Sequence, residues 1–143
     1  MCIRDSCSTN GYVKGIRNVG GIAGINKDII SNCLAAGVVK GDDNNIGGIV
    51  GSNENGDLFD CYTNAGVSGL TRVGGLIGNN EDSVVKHCSA TSSVSGGQDN
   101  IGGLVGYNDN SYIEYCNASC EVGGGRRAGG LVGSNYDLSL IHI

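Results

Sequence analysis

The chain has 143 residues with 27 glycines, no proline, no tryptophan and 5% aromatics, at a formal net charge of -5. Its nine Lys and Arg are scattered, with Arg126-Arg127 the only basic pair, which argues against nucleic acid and against a polybasic membrane contact. No apolar run approaches the roughly 20 residues of a spanning helix, so no membrane insertion is expected.

Along the chain, residues 1–6 (MCIRDS) have no apolar stretch that would read as a signal peptide. From residue 7 onward one pattern recurs. Glycine-pair segments start at Val19 (VGGIAGIN), Ile46 (IGGIVGSN), Val73 (VGGLIGNN), Ile101 (IGGLVGYN) and Ala128 (AGGLVGSN), at steps of 27, 27, 28 and 27 residues. Between them come Cys33, Cys61, Cys88 and Cys116, each followed six residues later by a valine (Val39, Val67, Val94, Val122) and eight later by a glycine. The same half-unit opens the chain as Cys7, Val13 and Gly15. Length varies only in the polar stretches after each Asn and before each new start, where turns belong.

Glycine costs about 1 kcal/mol per helical position relative to alanine, so helix is ruled out. The short Val- and Ile-rich runs read as two or three strands per unit. One unit cannot bury its own apolar side chains, but parallel stacking at about 4.8 Å buries them and pairs the backbones. The expected fold is all-β: a parallel β-solenoid (β-helix) with one ~27-residue repeat per coil, about five coils and uncapped ends. The repeat occupies residues 7–137, flanked by the non-repeating segments 1–6 and 138–143. The flanks MCIRDS and LSLIHI resemble adapter sequence translated as protein, so Cys2 and His142 are read as non-native, and the chain as a window from a longer array.

Inward ladders are expected from Ile22, Ile49, Leu76, Leu104 and Leu131, from the valines, and from Cys7, Cys33, Cys61, Cys88 and Cys116. Asn26, Asn53, Asn80, Asn108 and Asn135 suit a ladder of stacked amides. The glycine pairs mark corners needing positive φ or close backbone approach. In GGLVG the Leu-type and Val-type positions are adjacent and both apolar; either the strand bends there or one row faces outward.

The unit GGLVG-x-N, then Cys-x-Ala/Thr, then Val-x-Gly resembles the GLUG motif across Cys7 to about Asn135. The resemblance implies a structural repeat segment of a large bacterial cell-surface or secreted protein, a rigid spacer or adhesive stalk with an extracellular location. It brings no catalytic residue and no cofactor. Implied partners are neighbouring repeats of the same parent chain and a host protein or glycan surface. The alternative is an accessory repeat region of a secreted peptidase or of a carbohydrate-active β-helix enzyme.

No catalytic, metal or cofactor residue is assigned. One cysteine per coil spreads four sulfurs over ~14 Å, whereas zinc needs its ligands at about 2.3 Å, so the thiols read as buried apolar groups. Cys120 reads as a solitary thiol. His87 shares its position with Asn32, Asp60 and Tyr115 and reads as part of an exposed polar row. The acidic turns at Asp42-Asp43, Glu81-Asp82 and Asp99 read as solvated, and Asp57 and Asp82 as carboxylates placed by repetition rather than by glycosidase chemistry. Tyr62, Tyr107, Tyr112 and Tyr115 are the candidates for surface contact, since tyrosine joins large area to a polar tip.

Overall fold

The structure, a computed structural model, describes residues 3–136 and 140–142, with side chains over 6–136. Cys2 and the side chain of His142 therefore lie outside the described residues, as does Asp137 at the end of the expected repeat. Among the described residues there is no helix, and every strand pairing is parallel. The fold is a β-solenoid of about five coils at a spacing of 26 to 28 residues.

One coil shows the plan. It runs through Asn44–Gly47, Val50–Glu54, Asp57–Phe59, Tyr62–Thr63 and Gly66–Gly69. These belong to four stacked sheets, taken here in chain order as the first to the fourth, the last holding both Tyr62–Thr63 and Gly66–Gly69. Five short strands per coil replace the two or three expected. The reason is local: corners are cut by residues in the left-handed region, which interrupt runs that hydropathy alone would join. Asn45, Arg72 and Asn100 turn the entry to the first sheet. Asn55, Asp82 and Asn110 turn between the second and third, and Asp60, His87 and Tyr115 between the third and fourth, all with φ between 44° and 60°. Most are Asn or Asp, whose short side chains tolerate this conformation. In the first two coils the fourth sheet runs unbroken as Ser8–Gly15 and Leu34–Gly41.

The corner between the first and second sheets has a different cause. The paired glycines are not among the residues of positive φ, so their use is close approach rather than left-handed geometry. A Cβ on Gly74 would overlap the carbonyl oxygen of Ile77, and one on Gly75 the carbonyl of Gly103 in the next coil. The chain folds back so tightly here that only a hydrogen atom fits. At this corner the amides of Leu76 and Ile77 both donate to the Leu104 carbonyl, at 2.8 and 3.1 Å, and Ile49 and Val50 share the Leu76 carbonyl likewise. The bend resolves the adjacency of two apolar residues: Leu76 and Ile77, Ile49 and Val50, Leu104 and Val105 all have no exposed surface.

Two parallel cores result. The larger holds Leu76 and Ile77 with Leu58, Val85, Cys61, Cys88 and their coil equivalents. The smaller holds Ile46, Val73 and Ile101 against Val39, Val67 and Val94. Each buried aliphatic side chain contributes about 1.5–3 kcal/mol relative to exposure. The backbones of Ile3–Asp5 and Leu140–His142 continue the third sheet at either end, pairing with Ile29–Ser31 and Tyr112–Glu114.

Candidate functional site

Two side-chain ladders run the length of the rod. In one, each asparagine Nδ2 donates to the Oδ1 of the next coil: Asn26 to Asn53, Asn53 to Asn80, Asn80 to Asn108 and Asn108 to Asn135, each at 2.8 Å. The second Nδ2 hydrogen closes the local turn, to Asp28 O at 2.8 Å from Asn26 and to Gly56 O at 2.7 Å from Asn53. Asn53, Asn80 and Asn108 have no exposed surface. An amide is the one neutral side chain here that both donates and accepts in the same plane, so it can repeat indefinitely at strand spacing.

The second ladder is the thiols. Cys33, Cys61, Cys88 and Cys116 are buried and Cys7 and Cys120 half-buried, all as thiols rather than disulfides. Each buried Sγ donates to the carbonyl two residues upstream, for example Cys61 to Phe59 at 3.2 Å and Cys88 to Lys86 at 3.2 Å. The amide of Cys88 donates to Cys116 Sγ at 3.4 Å. Burial pushes the Cys33 thiol up to about 11, and the adjoining Cys116 and Cys61 thiols, together with burial, raise Cys88 as well. A thiol held protonated is a poor nucleophile and a poor metal ligand. Cys120 donates to Gly103 O at 3.2 Å and Ala90 O at 3.4 Å.

The carboxylates weighed for hydrolysis sit in structural bonds. Asp57 Oδ1 accepts the Val84 amide at 2.9 Å and Asp82 Oδ1 accepts Asn110 Nδ2 at 2.5 Å. Asp43 pairs with Arg17 at 2.8 Å. His87 is exposed in its left-handed row and stacks on Tyr115 with ring centroids 5.2 Å apart and 6° between planes. Among the described residues, no three His, Cys, Asp or Glu side chains converge on one point.

The four candidate tyrosines do not share a face. Tyr62 is 38% exposed on the fourth sheet, its hydroxyl 2.6 Å from Thr91 Oγ1. Tyr112 lies on the third sheet, and Tyr115 at the turn after it. Tyr107 lies half-buried on the second sheet, with the Arg72 guanidinium 4.6 Å from its ring centre and Tyr136 stacked at 5.5 Å. Burial raises the Tyr107 phenol above its ordinary value, aided by Asp109.

Tyr107 belongs to a polar seam between the first and second sheets that residue patterns alone did not reveal. Arg72 Nη1 donates to Asn79 Oδ1 at 3.5 Å, Asn79 Nδ2 to Ser52 Oγ at 3.3 Å, and Ser52 Oγ to Glu54 Oε1 at 2.9 Å. Lys27 closes the line 3.5 Å from Glu54. The third glycine of each motif makes the seam possible: a Cβ on Gly78 would overlap the Ile46 amide. The available signal was the Asn or Arg before each motif start, at 18, 45, 72, 100 and 127.

A further surface missed in the sequence is the outer face of the fourth sheet at its first coils. Tyr12 is 64% exposed and pairs in register with Val38, while Leu34 pairs with Tyr62 and Lys14 with Lys40.

No curated protein and no solved structure matches the chain. The family model for the GLUG motif matches residues 69–95 and 97–122. Those are two successive turns of the rod, each spanning the valine ladder, the glycine-pair corner, the Asn ladder and the thiol, and over these residues the chain is made of GLUG-motif repeats.

Proposed function

We propose that this structural repeat module serves as a rigid spacer and adhesive stalk within a large bacterial cell-surface or secreted protein, and that it performs no catalysis of its own. The observation that carries the reading is the unbroken register of the coils. The Asn ladder, the thiol ladder and both cores repeat without interruption, so bending the rod would break buried hydrogen bonds in every coil it crossed. A stack of this kind holds its ends at a fixed separation and offers long repeated faces to the outside. The buried carboxamides and thiols act in cohesion, and the variable residues lie in the seam and on the outer faces, where contact with other molecules is made.

The test is location. Antibodies raised against the folded chain should label intact source cells without permeabilisation, or the protein shed from them. Labelling that appears only after lysis would overturn the reading.

A further inference from the structure

We propose that the outer face of the fourth sheet, over its first three coils, binds a carboxylate-bearing polysaccharide. The proposal rests on the adhesive part of the reading above and names its ligand class.

On this face Ser8–Gly15 and Leu34–Gly41 pair in register over all eight residues, with Gly37 at a φ of 97° between Leu34 and Val38. Its outward rows place Tyr12 beside Val38, Leu34 beside Tyr62 and Lys14 beside Lys40. Tyr12 is 64%, Val38 44%, Leu34 39% and Tyr62 38% exposed. They form two exposed cross-strand pairs, Tyr12 with Val38 and Leu34 with Tyr62, set four residues apart along Leu34–Gly41. The backbone beneath them is already paired coil to coil, so an added strand has nothing to bond on this face. What a surface with two exposed tyrosines accepts is a flat amphipathic body, such as the C–H face of a sugar ring.

Charge selects among such ligands. Lys14 and Lys40 are direct cross-strand neighbours of like sign, an arrangement that is unfavourable alone. Among the described residues neither has an ion-pair partner, whereas Arg17, Lys27 and Lys86 each do. The chain carries a net charge of -5, yet the only charged side chains within Ser8–Gly15 and Leu34–Gly41 are Lys14 and Lys40, with exposed Asp42 in the turn that follows. Toward the other end the same rows become Ser89, Ser95 and then Glu121 beside Ser93. A chain of uronates would stack its rings on Tyr12 and Tyr62 and set carboxylates against Lys14 and Lys40. The acidic remainder of the protein would repel it from the other faces.

The probe is a galacturonate hexamer, titrated calorimetrically against the full chain at low and high salt, with neutral cellohexaose as comparison. Binding of the uronate alone, weakening as salt rises, is expected. The double variant Lys14→Gln/Lys40→Gln should weaken binding roughly tenfold and flatten its salt dependence, as loss of two exposed charge contacts implies. Tyr12→Ser/Tyr62→Ser should abolish it at both salt levels, while Lys27→Gln, on the second sheet, should bind as the parent does. All five sites are exposed, so unchanged thermal melting is expected and checks folding. The proposal is overturned if cellohexaose binds equally, if the lysine variant is unaffected, or if the chain dimerises through this face in a way that Tyr12→Ser abolishes. Failure here leaves the stalk reading standing, since cell-surface labelling and rod geometry do not depend on this patch.

Discussion

Asn53 donates its Nδ2 hydrogen to Oδ1 of Asn80 across 2.8 Å, between two side chains with no exposed surface. Asn80 in turn donates to Asn108 at 2.8 Å. Replacing Asn80 with alanine strands a donor on one side and an acceptor on the other inside the protein. Asn80→Ala should lower unfolding free energy by about 2–4 kcal/mol in a denaturant titration. Asn135→Ala, at an exposed position in the last coil, should cost less than about 1 kcal/mol.

The corner glycines are separable from the rest by what a methyl group would meet. Gly74→Ala drives a Cβ into the Ile77 carbonyl, whereas on Gly66 the nearest atom is Ser93 Oγ at 3.6 Å. Circular dichroism should show Gly74→Ala failing to reach the folded spectrum. Gly66→Ala should stay within about 1 kcal/mol of the parent.

Leu76 and Ile77 are neighbours in sequence and both point inward. Each alanine replacement should therefore cost about 2–5 kcal/mol. Were one of them on an outer face, its replacement would fall within about 0.5 kcal/mol of the parent. Paired melts of the two variants make the comparison.

The thiols should react by depth. Cys7 and Cys120 are half-buried, and Cys33, Cys61, Cys88 and Cys116 buried. Iodoacetamide on native protein should label Cys7 and Cys120 first, with the other four reacting only on unfolding, as mass spectrometry of peptides reads. Burial raises the Cys33 thiol from 9.0 to about 11, so between those values the unfolded chain has lost the proton that the folded chain keeps. Stability from this group is complete below pH 9.0 and is lost as pH rises toward about 11. The midpoint of urea unfolding should fall across that window.

The repeat made the stacking legible: recurrence of the Val or Ile motif starts, thiols and valines every 26 to 28 residues demands that equivalent residues meet, and Ile46, Val73 and Ile101 do pair in register. The Asn ladder was readable for the same reason, because one amide per coil can only meet its own copies. The strand count was not readable. It depends on left-handed turns that fall at Arg72, His87 and Tyr115 as well as at Asn and Asp, and only the Asn and Asp positions announce such a turn by residue type. The use of the glycine pairs was half legible, since close approach and positive φ leave the same residue in the sequence. The seam and the Tyr12 face were hidden because they depend on which side chains in different sheets or adjacent coils come together. Arg72 and Tyr107 are 35 residues apart in sequence and meet only after two sheets fold against each other.

The central claim is the in-register stack itself, and one distance tests it. Ser8, Leu34, Tyr62, Ser89 and Asn117 form a single row across five successive coils of the fourth sheet. Spin labels attached through encoded ketone side chains at positions 8 and 117, both exposed, leave the native cysteines untouched. Four coil steps of about 4.8 Å place the two backbones roughly 19 Å apart. Double electron–electron resonance should return one narrow distribution near that separation, widened only by the label arms. A broad distribution, or a mean beyond about 30 Å, would contradict a continuous solenoid.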